Sequence, residues 1–320
     1  MGLTNSAVGI KAVDSGLEIK KQTPEDKVIA LAGNPNVGKS TVFNGLTGLN
    51  QHTGNWPGKT VSNAQGYCKT NKHSYVMVDI PGTYSLMAHS TEEEVARNFI
   101  CFGEPDAVVV VCDATCLERN LNLVLQTIEI TKNVIVCVNL MDEAKRKHIE
   151  INLSVLAQKL GVPVVGAVAR DKNTLDDLMR AVDNVMDGNN VHDPIGVIYP
   201  DLIEQAIAIV EPVIKQKETK RIESRWLSLK LLDQDKSLVD EIVNYLGEEF
   251  LQDSELQEAL EKAKALLQAN DITSDRIKDQ IVSSLVLVAE KLAHSVVKTQ
   301  SDIYNTTDHK IDRVITSKWA

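Results

Sequence analysis

The run GNPNVGKS, from Gly33 to Ser40, constrains the fold of this chain more than any other feature. It follows the apolar run Val28–Gly33 and precedes a segment with helical periodicity, so the sequence predicts a strand, a glycine-rich turn and a helix in that order. In such a turn the backbone closes around phosphate oxygens, and its amides point inward at the start of the helix. The Lys39 ammonium is suited to the β- and γ-phosphates, and the Ser40 hydroxyl is suited to Mg²⁺. The run therefore predicts a phosphate-binding loop.

The first half of the chain carries five apolar segments that alternate with helical patterns. These segments are Val28–Gly33, Ser74–Ile80, Ala107–Asp113, Val134–Asn139 and Val162–Val168. Their apolarity is continuous rather than alternating, which is typical of strands that are covered on both faces. The sequence therefore predicts an α/β domain with a doubly wound, mostly parallel sheet.

The character of the sequence changes after Ile198. Segments with 3.6-residue periodicity follow one another from about residue 199 to 298, and strand-like runs are absent from this part of the sequence. A smaller all-helical domain is therefore predicted after the α/β domain. The α/β domain is placed at 27–190 and the helical domain at 195–300. Residues 1–26 are assigned to a flexible leader because they are mixed and polar.

The base is indicated by the segment NLMD, from Asn139 to Asp142, which begins at the end of an apolar run. A carboxylate there can accept hydrogen bonds from guanine N1–H and from the exocyclic amine, whereas adenine offers neither in that arrangement. An unpaired buried carboxylate is costly, so Asp142 discriminates between the two bases. The predicted nucleotide is GTP, with GDP as its product.

A third motif, DIPG at Asp79–Gly82, also stands at the end of an apolar run. Asp79 is placed to hold the Mg²⁺ shell, and the Gly82 amide can sense a γ-phosphate. The first switch is expected between the phosphate loop and Asp79, with Thr60 as the hydroxyl that closes on Mg²⁺ and Thr53 as the alternative. Trp56 is interpreted as a switch or contact residue outside the core, because its neighbours are polar, Gly and Pro. Three motifs in this order on three strand ends predict the fold of the P-loop small GTPases.

With these motifs the sequence closely resembles the cytosolic amino-terminal part of the FeoB family, the prokaryotic ferrous-iron transporters. The resemblance rests on GNPNVGKST, TGNWPGKTV, DIPGTYSL, DATCLERNLNL, NLMDEA and RWLSLKLL, and it extends roughly from Lys27 to Trp319. It implies a GTPase domain and a helical spacer on the cytoplasmic face of a membrane permease, which in bacteria lies in the inner membrane. The final run HKIDRVITSKWA resembles the family's approach to a first transmembrane helix, so residues 301–320 are assigned to a linker.

The resemblance also implies a mechanism. Enzymes of the Ras type place a glutamine directly after D-x-x-G to orient water, but this chain has Thr83 there. In the family, a K⁺ ion bound by the asparagine at the position of Asn36 and by switch-loop carbonyls stands in for an arginine finger. Such a finger contributes roughly 10³–10⁵ in rate, so slow, K⁺-stimulated hydrolysis is predicted.

The expected site is assembled from all of these motifs. Catalysis is assigned to Asn36, Lys39, Thr60 and Gly82. Mg²⁺ is assigned to Ser40, Thr60 and Asp79, and K⁺ is assigned to Asn36. The residues expected to bind the nucleotide and its ions are Gly33, Asn34, Asn36, Val37, Gly38, Lys39, Ser40, Thr41, Thr60, Asp79, Gly82, Asn139, Met141, Asp142, Val168 and Ala169.

The fifth guanine-nucleotide motif departs from its usual Ser-Ala ending and reads Val168-Ala169-Arg170. The Ala169 amide can still meet guanine O6, but a hydroxyl that would brace the loop is missing. Weak binding and fast GDP release are therefore expected.

Two other functions are compatible with the motifs. One is a soluble ribosome- or tRNA-associated GTPase, and the other is a nucleotide-sensing adaptor with negligible hydrolysis. The formal net charge of −10 argues against a broad nucleic-acid footprint, which would need a basic face. The preferred partners are the membrane permease part and small accessory proteins of the iron system, and the sequence leaves homo-oligomers open.

Overall fold

The amino-terminal half of the molecule is built around a seven-stranded sheet. The computed structural model describes residues 17–48, 51–87, 90–189 and 193–299. Within them the strands are β1 Lys27–Gly33, β2 Gln51–Asn55, β3 Ser62–Lys69, β4 Ser74–Asp79, β5 Ala107–Asp113, β6 Val134–Asn139, β7 Ile149–Ile151, β8 Val164–Gly166 and β9 Val297–Thr299. The helices are α1 Lys39–Thr47, α2 Thr91–Phe102, α3 Leu117–Ile130, α4 Met141–Arg146, α5 Leu153–Leu160, α6 Lys172–Met186, α7 Asp201–Ile214, α8 Ser224–Asp233, α9 Lys236–Leu246, α10 Glu248–Gln252, α11 Ser254–Gln268 and α12 Ser274–Val296.

The centre of this sheet is parallel, as the continuous apolar runs predict. The full strand order is β2-β3-β4-β1-β5-β6-β8, and the five strands from β4 to β8 pair in parallel. One apolar cluster joins the sheet to α2 and α3, and a second joins it to α1 and α6, so both faces are covered. The predicted doubly wound α/β fold is therefore confirmed. The predicted run Val162–Val168 forms a strand of only three residues, β8.

An antiparallel hairpin of β2 and β3 extends the sheet beyond β4. The sequence does not predict this hairpin, because its residues are mostly polar and β3 buries only part of its length. Two backbone hydrogen bonds close its turn, from the Trp56 amide to the Val61 carbonyl at 2.7 Å and from the Lys59 amide to the Trp56 carbonyl at 3.0 Å. This turn, residues 56–61, contains the proposed switch threonine.

The folded part begins before β1. Residues 17–26 were assigned to the flexible leader, but Leu17 and Ile19 are only 5% and 6% exposed and belong to the apolar core. The Gln65 side chain of β3 accepts from the Lys20 amide at 3.1 Å and donates to the Glu18 carbonyl at 3.0 Å. These residues therefore pack on the hairpin, and residues 1–16 of the expected leader lie outside the described part of the chain.

The second half is helical, α7 to α12, as predicted, but α8 buries every residue from Trp226 to Asp233 rather than a single face. Three of its helices begin at side-chain caps, with Asp235, Asp253 and Thr273 accepting hydrogen bonds from backbone amides of α9, α11 and α12. Among the described residues, none of the helices combines the length and apolarity that a membrane crossing requires. The expected linker 301–320 lies outside the described residues.

The two halves share one apolar core and several polar ties. Arg221, between α7 and α8, pairs with Asp106 before β5 at 3.3 Å, and the Tyr199 hydroxyl donates to Glu129 of α3 at 2.5 Å. In addition β9, directly after α12, pairs antiparallel with β7 of the α/β half. This two-stranded ribbon is not predicted by the sequence, because three-residue strands carry too short a pattern to recognise.

Candidate nucleotide-binding site

The predicted motifs meet at one edge of the sheet. The phosphate loop follows β1, DIPG ends β4 and NLMD ends β6, and these strands are parallel. Parallel strands place their carboxyl ends on the same edge, where open α/β sheets bind ligands. The loop after β8 adds Val168 and Ala169 to that edge.

The phosphate loop depends on two glycines for its shape. Gly38 has φ +82°, a conformation that favours glycine, and an added Cβ would lie 2.4 Å from the Asn139 Nδ2 atom. At Gly33 an added Cβ would lie 2.7 Å from the Val111 carbonyl oxygen. Asn36 also has a positive φ of 67°, which asparagine tolerates better than most residues. The backbone therefore turns tightly into α1, which begins at Lys39.

Lys39 and Asp79 form an ion pair at the start of α1. The Lys39 ammonium also donates to the Ile80 carbonyl at 2.7 Å, and the two charged side chains are only 10% and 17% exposed. Burial raises the pKa of the Asp79 carboxyl above its usual value, and the nearby Lys39 ammonium offsets part of that rise. The pair brings the lysine of the phosphate loop and the carboxylate of DIPG into direct contact.

DIPG is joined to the phosphate loop through the backbone as well. An added Cβ at Gly82 would lie 3.4 Å from the Cα and N atoms of Pro35, and the Thr83 amide donates to the Gly33 carbonyl at 3.1 Å. The Thr83 side chain points inward, since it is 2% exposed and its hydroxyl donates to the Ser85 carbonyl at 2.6 Å. Thr83 is therefore not placed to orient a water molecule as a glutamine would.

Asn139 ties the guanine end of the site together. Its side chain is completely buried, its Nδ2 donates to the Val37 carbonyl at 3.0 Å, and its Oδ1 accepts from the Ala169 amide at 3.1 Å. Here the Ala169 amide, which was expected to meet guanine O6, donates to Asn139. The selectivity expected of Asp142 assumed a buried carboxylate, but Asp142 is exposed in the first turn of α4, so only a bound base would bury it. Asn139 therefore positions two loops, and Asp142 is open to a base.

The other expected phosphate-loop residues differ in exposure. Asn36, Ser40 and Thr41 are exposed, whereas Val37 is 3% exposed and packs in the core. Asn34 is also 3% exposed, and neither atom of its side-chain amide has a hydrogen-bond partner among the described residues. An unsatisfied buried amide costs about 1–3 kcal/mol, so Asn34 is a polar group in need of a partner.

The switch segment differs from the expectation at Trp56. Trp56 was interpreted as lying outside the core, but it is 2% exposed and its ring meets Phe99 of α2 edge-on at a centroid distance of 5.4 Å. That interpretation was wrong, because the ring leaves its polar neighbours and enters the apolar cluster under the hairpin. Thr60 is exposed in the turn 56–61, and Thr53 lies within β2. The assignment of Thr60 to Mg²⁺ stays a prediction.

One residue that supports the loop after β8 is not predicted by the sequence. Thr174, in the first turn of α6, makes hydrogen bonds to Val168. Thr174 lies outside every recognised motif. A threonine near a helix start is common, so the sequence gives no signal that its hydroxyl bonds to the preceding loop.

A phosphate loop, an adjoining DIPG segment and an NLMD loop on the carboxyl edge of this sheet define a P-loop GTPase fold, here followed by a helical domain. Residues 27–182 match the family described as ferrous iron transport protein B, and residues 199–298 match the FeoB cytosolic helical domain. The chain belongs to the FeoB family.

Curated relatives and solved structures agree with this assignment. The Fe(2+) transporters FeoB of Salmonella typhimurium and Escherichia coli K12 are 36% and 37% identical over 213 and 211 residues, which is 65% of this chain. The chain spans only 27% of the length of these relatives. The cytosolic domain of T. maritima FeoB in a GDP form is similar with a TM-score of 0.68 and 30% identity, covering 85% of this chain and 99% of that one. A GDP-bound S. thermophilus NFeoB mutant gives a TM-score of 0.70 at 30% identity, covering 85% and 100%. A ribosome- or tRNA-associated GTPase is not supported, because the second domain matches the FeoB helical domain.

Proposed function

We propose that this chain binds GTP and hydrolyses it slowly to GDP and phosphate, as the regulatory module of a ferrous-iron transporter in the membrane. The observation that carries the proposal is the contact between Lys39 and Asp79, which brings two of the three motifs together on the edge that also holds Asp142. Solved relatives are described in GDP and GMPPNP forms, which supports a guanine nucleotide as the ligand.

Within this proposal, the phosphate loop holds the phosphates and Asp142 selects the base. The N–H groups of the loop residues other than Pro35 would surround phosphate oxygens, and the Lys39 ammonium would add positive charge beside them. The exposed Asp142 carboxylate accepts from guanine N1–H and the exocyclic amine. Met141 and Ala169 lie beside it on the same edge.

The oxygen atoms at the start of α1 fit Mg²⁺. The Asp79 carboxylate and the exposed Ser40 hydroxyl are hard oxygen donors of the kind that Mg²⁺ prefers. They would hold the ion together with Thr60, and when bound it would neutralise charge on the β- and γ-phosphate oxygens.

GTP hydrolysis would be slow because no glutamine orients the attacking water. Thr83 is buried and bonded to Ser85, so no side chain at that position orients a water. The exposed side chain of Asn36, at a turn of positive φ, offers an amide oxygen that would hold K⁺. Gly82, where an added Cβ would lie 3.4 Å from Pro35 of the loop, would carry the response to the γ-phosphate.

The proposed partner is the permease part of the same transporter. The curated relatives are Fe(2+) transporters, and this chain aligns with 27% of their length. The chain would then work on the cytoplasmic face of the bacterial inner membrane. Small accessory proteins of the iron system and further copies of the chain are additional candidate partners.

Single-turnover GTP hydrolysis in K⁺ and Na⁺ buffers tests the enzymatic part. We expect faster hydrolysis in K⁺, and Asn36→Ala should abolish this difference while fluorescent GDP still binds. Asn184→Ala, an exposed asparagine on α6, is the matched control and should behave as wild type. Equal rates in the two buffers would overturn the K⁺ assignment, and ATP competing as well as GTP would overturn the guanine assignment.

Iron uptake by cells separately tests the proposed role in ferrous-iron transport. In the full-length transporter, Lys39→Ala removes the phosphate-loop charge and should abolish uptake of radioactive Fe²⁺ in cells. Unchanged uptake with a transporter that no longer binds GTP would show that the nucleotide does not regulate transport.

A further inference from the structure

The loop between β8 and α6, residues 167–171, receives a hydroxyl from outside the motif. Val168 stands where the motif usually has serine, but its amide donates to Thr174 Oγ1 at 3.1 Å. The same hydroxyl lies 3.0 Å from the Val168 carbonyl oxygen and 2.8 Å from the Asp171 carbonyl oxygen. It therefore accepts from an amide of the loop and donates to one of the loop's carbonyls.

The next residue of the loop is held from other directions. The Ala169 amide donates to Asn139 Oδ1 at 3.1 Å. The Ala169 carbonyl faces α1, where a Cβ added to Gly45 would lie 3.2 Å from its oxygen. Two consecutive residues at the guanine end are thus fixed, one by Thr174 and one by Asn139.

The start of α6 does not account for the Thr174 bonds. Asp171 already caps this helix, because its side chain accepts from the Asn173 amide at 3.0 Å. Both bonds between Thr174 and Val168 reach back six positions along the chain, which is beyond the reach of a helix cap. They connect the helix to the loop.

We infer that Thr174 is a positioning residue for guanine recognition, and that its hydroxyl replaces the one that Val168 lacks. The inference rests on the proposed nucleotide binding and extends it, because it assigns the rate of GDP release to a residue outside the motifs. It also changes the expectation drawn from Val168 alone: a loop braced by Thr174 keeps the Ala169 backbone in place and slows the departure of GDP.

Dissociation of a fluorescent GDP, followed by stopped flow, tests the inference. Thr174→Val keeps the shape of the side chain and removes its hydroxyl, and we expect GDP release to accelerate about three- to tenfold, as for the loss of one buried hydrogen bond. Thr174→Ser keeps a hydroxyl and should release GDP at nearly the wild-type rate. The double variant Val168→Ser with Thr174→Val returns a hydroxyl to the loop and should return the rate toward wild type.

Thr127→Val is the matched control, because the Thr127 hydroxyl donates to the Leu123 carbonyl at 2.8 Å within α3, away from the guanine end. It should lower the melting temperature without changing GDP release. Should Thr174→Val not fold, the single variant Val168→Ser decides: a braced loop predicts almost no slowing of release, and an unbraced loop predicts strong slowing.

Two failures are distinguishable. If the wild-type chain does not bind the fluorescent GDP, the proposed function fails. If it binds and Thr174→Val releases GDP at the wild-type rate, or no faster than Thr127→Val, only the role of Thr174 is overturned.

Discussion

The two ends of the candidate site are held in different ways. At the guanine end, the buried Asn139 side chain bonds to the backbone of the phosphate loop and of the loop after β8. At the γ-phosphate end, Thr60 is exposed in a turn that is anchored through the Trp56 ring. A segment with few buried contacts opens at a lower free energy than its surroundings. The end proposed to meet the base is therefore held by buried hydrogen bonds, whereas the turn proposed to respond to the γ-phosphate is buried at Trp56 and Val61 and leaves Thr60 exposed between them.

The largest effect is expected from Asp142→Asn. This change alters the group that would meet the base and leaves the hydrogen bonds of Asn139 in place. Affinity for GTP should fall about 10⁴-fold, because a site built to bond the base is left mismatched, and xanthosine triphosphate should gain affinity. Competition against a fluorescent GDP measures both. Glu143→Gln is the matched control on the same helical turn, where Glu143 pairs with Arg146 at 3.0 Å. Equal losses in both variants would mean that α4 does not meet the base.

Trp56→Ala addresses the anchor of the turn 56–61. Truncating a buried aromatic ring costs about 3–5 kcal/mol in the free energy of unfolding, which urea denaturation measures. Trp56→Phe should cost much less, because Trp56 Nε1 has no hydrogen-bond partner among the described residues and its loss removes no bond. A cost below about 1 kcal/mol for Trp56→Ala would show that the turn is held by something other than the ring.

Asn139→Ala tests the guanine end. It leaves the Val37 carbonyl and the Ala169 amide without their partner, so the free energy of unfolding should fall by about 2–4 kcal/mol and GDP affinity should fall with it. Asn120→Ala provides the comparison, since Asn120 is also buried and bonds to the Cys116 carbonyl at 2.8 Å and the Asp113 amide at 3.3 Å. It should lose similar stability with GDP affinity retained. If both variants lost GDP affinity equally, the bonds of Asn139 would have no special role in holding the guanine end.

The smallest effect is expected from Lys59→Ala in the turn 56–61. Lys59 pairs with Glu94 of α2 at 3.3 Å, but the two side chains are 43% and 37% exposed. Exposed pairs contribute at most about 1 kcal/mol, so the melting temperature should hardly change and salt should not alter the result. A larger loss would mean that the turn is held electrostatically, and the contrast with the guanine end would then be weaker.

The parts of the fold that the sequence predicts are those whose cause is local. β5 and β6 coincide with their apolar runs because both faces of each strand are buried. The phosphate loop is recognisable because its glycines are needed by the backbone itself. The same is true of the amphipathic helices α7, α9 and α12, whose apolar positions repeat at helical spacing.

The parts that the sequence does not predict depend on distant partners. Trp56 sits among polar residues, and only the position of Phe99 in the folded chain explains its burial. Asn139 is recognisable as a motif residue, yet its bonds to Val37 and Ala169 exist only once three strands are aligned. The brace from Thr174 is invisible for the same reason, because its partner is a backbone group that every residue carries.

The ribbon of β7 and β9 connects the end of the helical half to the α/β half, so a force on the chain after β9 would act on both. β9 is the last described strand and pairs with β7, while the Asn152 amide after β7 donates to the carbonyl of Val296, the last residue of α12, at 2.9 Å. β7 in turn follows α4, the helix that carries Asp142 in its first turn. Tension applied to the chain after Thr299 would therefore reach α12 through the chain itself and β7 through three residue pairs, and β7 follows α4, the helix proposed to select the base.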